Sequence, residues 1–276
     1  MGYKLIACDL DETLLNDDHL VGKKNHDAIL KARKEYGVKF VPATGRGFMQ
    51  IQSELEELEL NDLKGEYVIS FNGGALSENK GNRIIEFNGL PFEKMKEIFE
   101  IGLNFDVCQH IYTADKLYVF NLSESEKKRL AHLKLDVIYP KENNVDFLKD
   151  IPIAKILYQN IDVPYLMSLE DELKSITDDC VAVSYSSNRY MEFNAVGVDK
   201  GQGLIDLANK LGIDIEDTIA VGDNYNDLSM LKVAGLAVGA NNAVDDVKVV
   251  CDYVTQANNN EGVVAELIER FIFNEI

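Results

Sequence analysis

The sequence predicts an α/β protein, a parallel sheet covered by helices and interrupted by an inserted α+β domain. Three observations predict it. Short apolar runs alternate with helix-period segments through the first and last thirds of the chain. Several of those runs stop abruptly on acidic, hydroxyl-bearing or glycine-rich turns. The middle, about residues 85–190, loses that rhythm and strings several strand-like pieces around fewer helices.

Taken in order, residues 3–8 (YKLIAC) read as a buried parallel strand. Residues 23–36 carry Ala28, Ile29, Ala32 and Tyr36 at helical spacing and close on Gly37. A second strand is predicted at 38–43 (VKFVPA), a helix at 47–60, and a third strand at 66–71 stopping at Asn72-Gly73-Gly74. In the last third, a helix at 201–211 precedes a strand at 218–222 (TIAVG). A short helix at 226–234, strands at 235–239 and 252–255, and a helix over 261–272 complete the alternation. The middle gives strand signals at 84–87, 116–121, 135–139, 153–159 and 181–185, and helices at 91–101 and 164–174. The expected organisation is one discontinuous domain, 1–84 with 191–276, and an inserted domain at 85–190.

Composition narrows the function classes. Apolar residues make up 46% of the 276, enough for a sizeable core. With 28 Lys+Arg against 47 Asp+Glu, the formal net charge is -19. Such a surface repels nucleic acid and anionic lipid headgroups, so neither is an expected partner. Cys8, Cys108, Cys180 and Cys251 are far apart with no C-x-x-C pair, which suits free thiols in a reducing compartment. Met1-Gly2-Tyr3-Lys4 runs straight into a strand without the features of a signal peptide, and no apolar run approaches the ~20 residues that span a bilayer. The expected location is the cytoplasm.

Four polar clusters fall at ends of predicted strands or starts of helices, where open parallel sheets bind ligands. Asp9-Leu10-Asp11 directly follows the first strand. Two carboxylates there offer hard oxygens for Mg²⁺ and a nucleophile toward phosphorus. Ala43-Thr44-Gly45-Arg46 follows the second strand, with a hydroxyl and free backbone N–H groups for a phosphoryl oxygen. Lys200 stands just before a helix as a compact cation. Gly222-Asp223-Asn224-Tyr225-Asn226-Asp227 closes another strand with acids and amides. Each cluster alone has a plain structural reading as a cap, a turn or a solvated charge. The four together do not.

In that order, across residues 9–231, DLDETLL, ATGR, VDKG and GDNYND-LSML resemble the haloacid dehalogenase superfamily. Within it, the chain resembles the Cof-type phosphatases with a large α/β (type C2B) cap. The resemblance implies a Rossmann-like core with an inserted cap, and it implies roles. Asp9 would be the nucleophile and a magnesium ligand. Asp11 would be the general acid/base, with its carbonyl on the metal. The Leu10 amide, Thr44, the Gly45 amide, Lys200 and Asn226 would bind the phosphate. Asp223 and Asn224 would complete the Mg²⁺ ligands, with Asp227 supporting them. Glu12 stands where the family usually has Gly, and Tyr225 where Glu is common.

The expected reaction is magnesium-dependent hydrolysis of phosphate monoesters of small metabolites, sugar phosphates or similar, through an aspartyl phosphate. A phosphotransferase or mutase on the same scaffold would share Asp9 and Asp11 and return phosphate to an organic product. A non-enzymatic phosphoaspartate signalling module would use similar groups, but the long insert and Asp11 disfavour it. In the insert, Tyr112, Tyr118, Tyr158, Tyr185, Asn188 and Arg189 are candidates to face substrate. Cap core or surface is the favoured reading for most of them, and Arg189 is the strongest of the set.

Overall fold

The structure is a computed structural model describing residues 2–131, 136–177 and 180–274. The chain divides into two compact units, Met1–Glu86 with Asp199–Ile276, and Phe87–Val198.

The first unit begins with β1 (Leu5–Cys8), wholly buried. A π-type turn over Leu10–Leu14 leads toward α1 (Lys23–Tyr36), which ends on left-handed Gly37. β2 (Lys39–Pro42) is followed by a 3₁₀ turn at Phe48–Ile51 and α2 (Gln52–Glu57). β3 (Tyr67–Ser70) pairs antiparallel with β4 (Ala75–Glu78), and β5 (Arg83–Phe87) completes a separate three-stranded sheet. The 66–71 run is therefore a strand, but it does not extend the main sheet. The Asn72-Gly73-Gly74 turn folds it back as a hairpin, and a single bridge, Ala43 to Ile69, ties it to the parallel strands.

The second unit contains α3 (Phe92–Gly102), β6 (Cys108–Thr113), β7 (Lys116–Phe120) and α4 (Glu124–Leu130). It continues with β8 (Asp136–Ile138), β9 (Ile153–Gln159), α5 (Val163–Ser168), α6 (Glu170–Thr177), β10 (Val181–Ser186) and β11 (Tyr190–Ala195). The strand expected at 135–139 is β8, its first residue lying outside the described residues. The six strands form one sheet in the order β10-β11-β9-β6-β7-β8, antiparallel except for β7 beside β8. Ile111, Ile156, Tyr158 and Phe193 pack with Met95, Ile98 and Phe99 of α3 and with Leu166 and Leu173. Cys108, Leu117 and Val119 form a smaller cluster with Leu130 of α4. The helix expected at 164–174 is two helices, broken at Leu169. The expected return of the first domain near Met191 falls inside β11, whose residues pair with β9 and β10.

The chain re-enters the first unit with α7 (Lys200–Leu211), capped by Asp199, whose Oδ1 accepts from Gln202 N at 2.9 Å. β12 (Thr218–Gly222), α8 (Leu228–Val233), β13 (Leu236–Gly239), α9 (Asp245–Val250), β14 (Tyr253–Val254) and α10 (Val263–Ile268) follow. The main sheet is parallel throughout, in the order β14-β13-β12-β1-β2. Leu5, Ala7, Val41, Ala220 and Ala237 pack with Leu204, Leu207, Met230 and Leu231. The alternate residues Ile6, Phe40 and Ile219 are equally buried, so both faces are covered. That is why these strands read as continuous apolar runs. β1 is the second strand from the β2 edge, with β2 on one side and β12 on the other, so the connections leave it in opposite directions along the sheet. Ligand crevices form beyond the carboxyl ends at such a point.

Candidate active site

Register brings three motifs to that point. Cys8 pairs with Val221 on one side and Pro42 on the other, so Asp9, Asp223 and Thr44 emerge together. Asp9 N donates to Val221 O at 3.0 Å, which fixes the residue at the strand end. The Asp9 carboxylate is buried, and Lys200 Nζ donates to its Oδ1 at 2.5 Å. Lys200, itself fully buried at the start of α7, also donates to Asp227 Oδ1 at 2.6 Å. Asp227 Oδ2 accepts from the backbone N–H groups of Asp223 and Asn224 at 2.9 and 3.0 Å. This is possible because Gly222 has no side chain: a Cβ there would lie 2.5 Å from Asp227 Oδ2. Asp223 Oδ1 accepts from Thr13 Oγ1 at 2.7 Å.

Carboxylate oxygens of Asp9, Asp223 and Asp227 lie within 4.8 Å of one another, all buried. Three acids thus crowd around one ammonium, which bonds to Asp9 and Asp227. Burial pushes the Asp9 carboxyl well above its ordinary range; Lys200 opposes that and Asp227 adds to it. Burial likewise raises Asp223, to about 6, against the hydrogen bond from Thr13. For Lys200, burial disfavours the charge, but Asp227 and Asp9 outweigh it and the ammonium is held more firmly than usual. A buried all-oxygen set with surplus negative charge fits a hard divalent cation. Both Asp227 oxygens are spent on Lys200 and on backbone N–H groups, which leaves Asp9 and Asp223 as the carboxylates with oxygens to spare.

The remaining residues named from the sequence lie around this cluster. Leu10 is buried, and its carbonyl accepts from Leu15 N, closing the turn. Thr44 is buried; its N–H donates to Ile69 O at 2.9 Å and its hydroxyl accepts from Arg46 N at 3.1 Å. Gly45 lies against the Asn72 amide, about where a Cβ would be 3.2 Å from Asn72 Oδ1. Asn226 Nδ2 reaches Asn72 Oδ1 at 3.4 Å. Asn224 uses its Oδ1 to accept from Tyr225 N, capping a 3₁₀ turn. The Asp11 side chain does not join the acidic cluster. It is half exposed and turns to Arg46, whose Nη2 donates to Oδ1 at 3.1 Å. Of the candidates in the second unit, Tyr118 and Tyr158 belong to its core. Tyr185 donates to Glu170 Oε1, and Arg189 Nη1 lies 3.6 Å from Glu126.

Three neighbours were missed in the sequence. Thr13 lies inside DLDETLL, and its hydroxyl spacing was the available signal. Asn72 follows β3 with φ of 54°, between Phe71 at 52° and Gly73 at 96°. Two successive non-glycine residues in the left-handed region are costly and mark a turn held by its surroundings. Asn242 Nδ2 donates to Glu12 O at 2.7 Å, clamping the turn after Asp11; no local pattern foretold it.

The chain matches the haloacid dehalogenase-like hydrolase family model over residues 6–267. It is 32% identical to a haloacid dehalogenase-like hydrolase from Bacteroides thetaiotaomicron, with a TM-score of 0.86 over 98% of this chain and 99% of that one. The Thermotoga maritima protein TM0651 superposes with a TM-score of 0.85 at 29% identity over 97% of both chains. The Bacillus subtilis 5-amino-6-(5-phospho-D-ribitylamino)uracil phosphatase YwtE is 30% identical over 286 residues, covering 94% of this chain and 95% of its own. On the family model, on sequence identity and on the superposition alike, the chain belongs to the haloacid dehalogenase-like hydrolases as an enzyme of the phosphatase type.

Proposed function

We propose that the chain hydrolyses phosphate monoesters of small metabolites, sugar phosphates or similar, through an aspartyl phosphate on Asp9, with Mg²⁺ as cofactor. The observation that carries this reading is the buried Asp9 carboxylate at the end of β1, held by Lys200 and faced by Asp223 and Asp227. Asp9 attacks phosphorus, the bond to the leaving oxygen breaks, and Asp11 gives that oxygen a proton. Water then attacks the phosphoryl group, the bond to Asp9 breaks, and Asp11 takes the proton from water. Thr44, the amides of Leu10 and Gly45, Lys200 and Asn226 hold the phosphoryl oxygens. Asp9, Asp223, the Asp11 carbonyl and Asn224 would hold the metal, which supplies positive charge against the transferring group. Asp227 keeps Lys200 and the 223–224 backbone in place.

The acidic surface supports a small soluble substrate over nucleic acid or membrane. Among the described residues no helix is long and apolar enough to cross a membrane, and the separated thiols support a cytoplasmic setting. The name of the relative YwtE, a phosphatase of a phosphorylated ribityl compound, supports the same substrate class. The test is phosphate release from a panel of sugar phosphates, nucleotides and p-nitrophenyl phosphate, with Mg²⁺ and after exhaustive chelation. Activity is expected with Mg²⁺, lost on chelation and absent in Asp9→Asn. Full activity without divalent metal, or in Asp9→Asn, overturns the reading. Phosphate recovered in an organic acceptor favours the phosphotransferase instead.

A further inference from the structure

We infer that Arg46 is a positioning residue for Asp11, fixing the carboxylate that exchanges protons with the leaving group and with water. The inference rests on the function proposed above. The two acids of the Asp9-Leu10-Asp11 turn are held in different ways. Asp9 is buried and locked by Lys200. The Asp11 side chain is 49% exposed, on a turn whose next residue, Glu12, is left-handed at φ 62°. Among the described residues its only side-chain partner is Arg46. Nη2 donates to Oδ1 at 3.1 Å, and Nε lies 3.1 Å from Oδ2. A half-exposed carboxylate would otherwise sample several rotamers, each useless for a directed proton transfer.

Arg46 is itself anchored. Its Nη1 donates to Glu54 Oε1 at 2.9 Å, and Glu54, buried on α2, accepts at Oε2 from Ser53 Oγ at 2.8 Å. The Arg46 backbone N–H donates to Thr44 Oγ1, and its carbonyl accepts from Phe71 N at 3.0 Å. The sequence thus runs a relay from α2 through Arg46 to Asp11, across 35 positions of chain. A planar guanidinium bridging two carboxylates holds both in a defined plane, which a lysine would not do.

The test separates the half-reactions. With p-nitrophenyl phosphate, the bond from Asp9 to phosphorus forms while the aryl oxygen departs as a stable phenolate needing no proton. Hydrolysis of the aspartyl phosphate still needs Asp11 to take a proton from water. In Arg46→Ala we expect kcat to fall ~10–100-fold, part of the ~10²–10⁴ that a positioned acid/base contributes, with KM changed less than about twofold. We also expect a pre-steady-state burst of p-nitrophenolate approaching one equivalent per enzyme and a phosphorylated enzyme in acid-quenched mass spectra. A sugar phosphate, whose alkoxide needs the proton to leave, should lose more rate and show no accumulation. Arg46→Lys should restore only part of kcat, added guanidinium should raise the rate of Arg46→Ala, and Glu54→Gln should give a weaker copy of the same pattern. Loss through KM, with inorganic phosphate inhibiting less, would instead make Arg46 a phosphate ligand and overturn the inference. Equal loss on both substrates without a burst, together with a lowered melting temperature, would make it scaffold and also overturn it. Wild-type and Asp9→Asn controls keep the two levels apart: if they behave as proposed and Arg46→Ala does not, only this inference falls.

Discussion

Lys200→Met tests the charge balance of the site most directly. The replacement keeps the stem and removes only the ammonium, so no large cavity confuses the result. Lys200 is fully buried and donates to Asp9 at 2.5 Å and Asp227 at 2.6 Å. Removing one partner of a buried pair costs about 3–5 kcal/mol, because the remaining charge is stranded. Here two carboxylates are stranded, with Asp223 beside them. The cost is capped because a carboxyl can take up a proton. Burial already raises Asp9, so proton uptake is the natural relief and the deficit should shrink as pH falls. A divalent cation binds both proteins, so it narrows the deficit only by as much as it binds the variant more tightly, about 2.7 kcal/mol for a hundredfold tighter site at saturating Mg²⁺. Urea unfolding of wild type and variant, at pH 8 and pH 5, with and without Mg²⁺, measures each of these. The expected result is a deficit of about 3 kcal/mol or more at pH 8 without metal, smaller at pH 5 and smaller with Mg²⁺. Phosphate release should fall ~10²–10³-fold on every substrate, as on loss of one transition-state donor. A deficit under 1 kcal/mol, or one indifferent to both pH and Mg²⁺, would refute the charge-surplus argument.

Three further outcomes are expected. Asp223 is raised from 3.8 to about 6, so its favourable contribution is complete below about pH 4 and lost as pH rises through 6. Metal-free wild type compared with Asp223→Asn should lose about 3 kcal/mol across that window, from ~2 units at 1.36 kcal/mol each, and a flat difference would refute it. Burial holds His110 down at about 3, so the folded protein resists its protonation and stability is lost as pH falls from 6.5. His110→Leu should therefore gain about 2 kcal/mol on wild type between pH 7.5 and pH 5 in the same assay, and no pH-dependent gain would count against a buried neutral imidazole. Glu12 sits at φ 62°, a left-handed conformation that favours glycine, so Glu12→Gly should stabilise by about 0.5–1 kcal/mol, the left-handed strain relieved less the extra chain entropy. A lower melting temperature for that variant would show that the Glu12 side chain makes compensating contacts.

By itself the sequence determined the parallel sheet and the places where its chemistry had to stand. Buried parallel strands are apolar on both faces, so LIAC, KFVP and TIAVG are legible without any partner, and the polar residue that ends each run marks the carboxyl edge. It was less informative about the inserted unit. β6, α4 and β11 carry mixed polar and apolar residues, and their burial depends on which face meets a helix. Tertiary structure alone decided the partners. Nothing local says that Thr13 will donate to Asp223, 210 positions away, or that Lys200 will span Asp9 and Asp227. Nor does it say that Asp11 will turn away from the acidic cluster toward Arg46. Spacing fixes which face a residue occupies along one element. Which charges then share a buried volume depends on strand register and on the turns that follow each strand, and those are settled only when the sheet closes around its core.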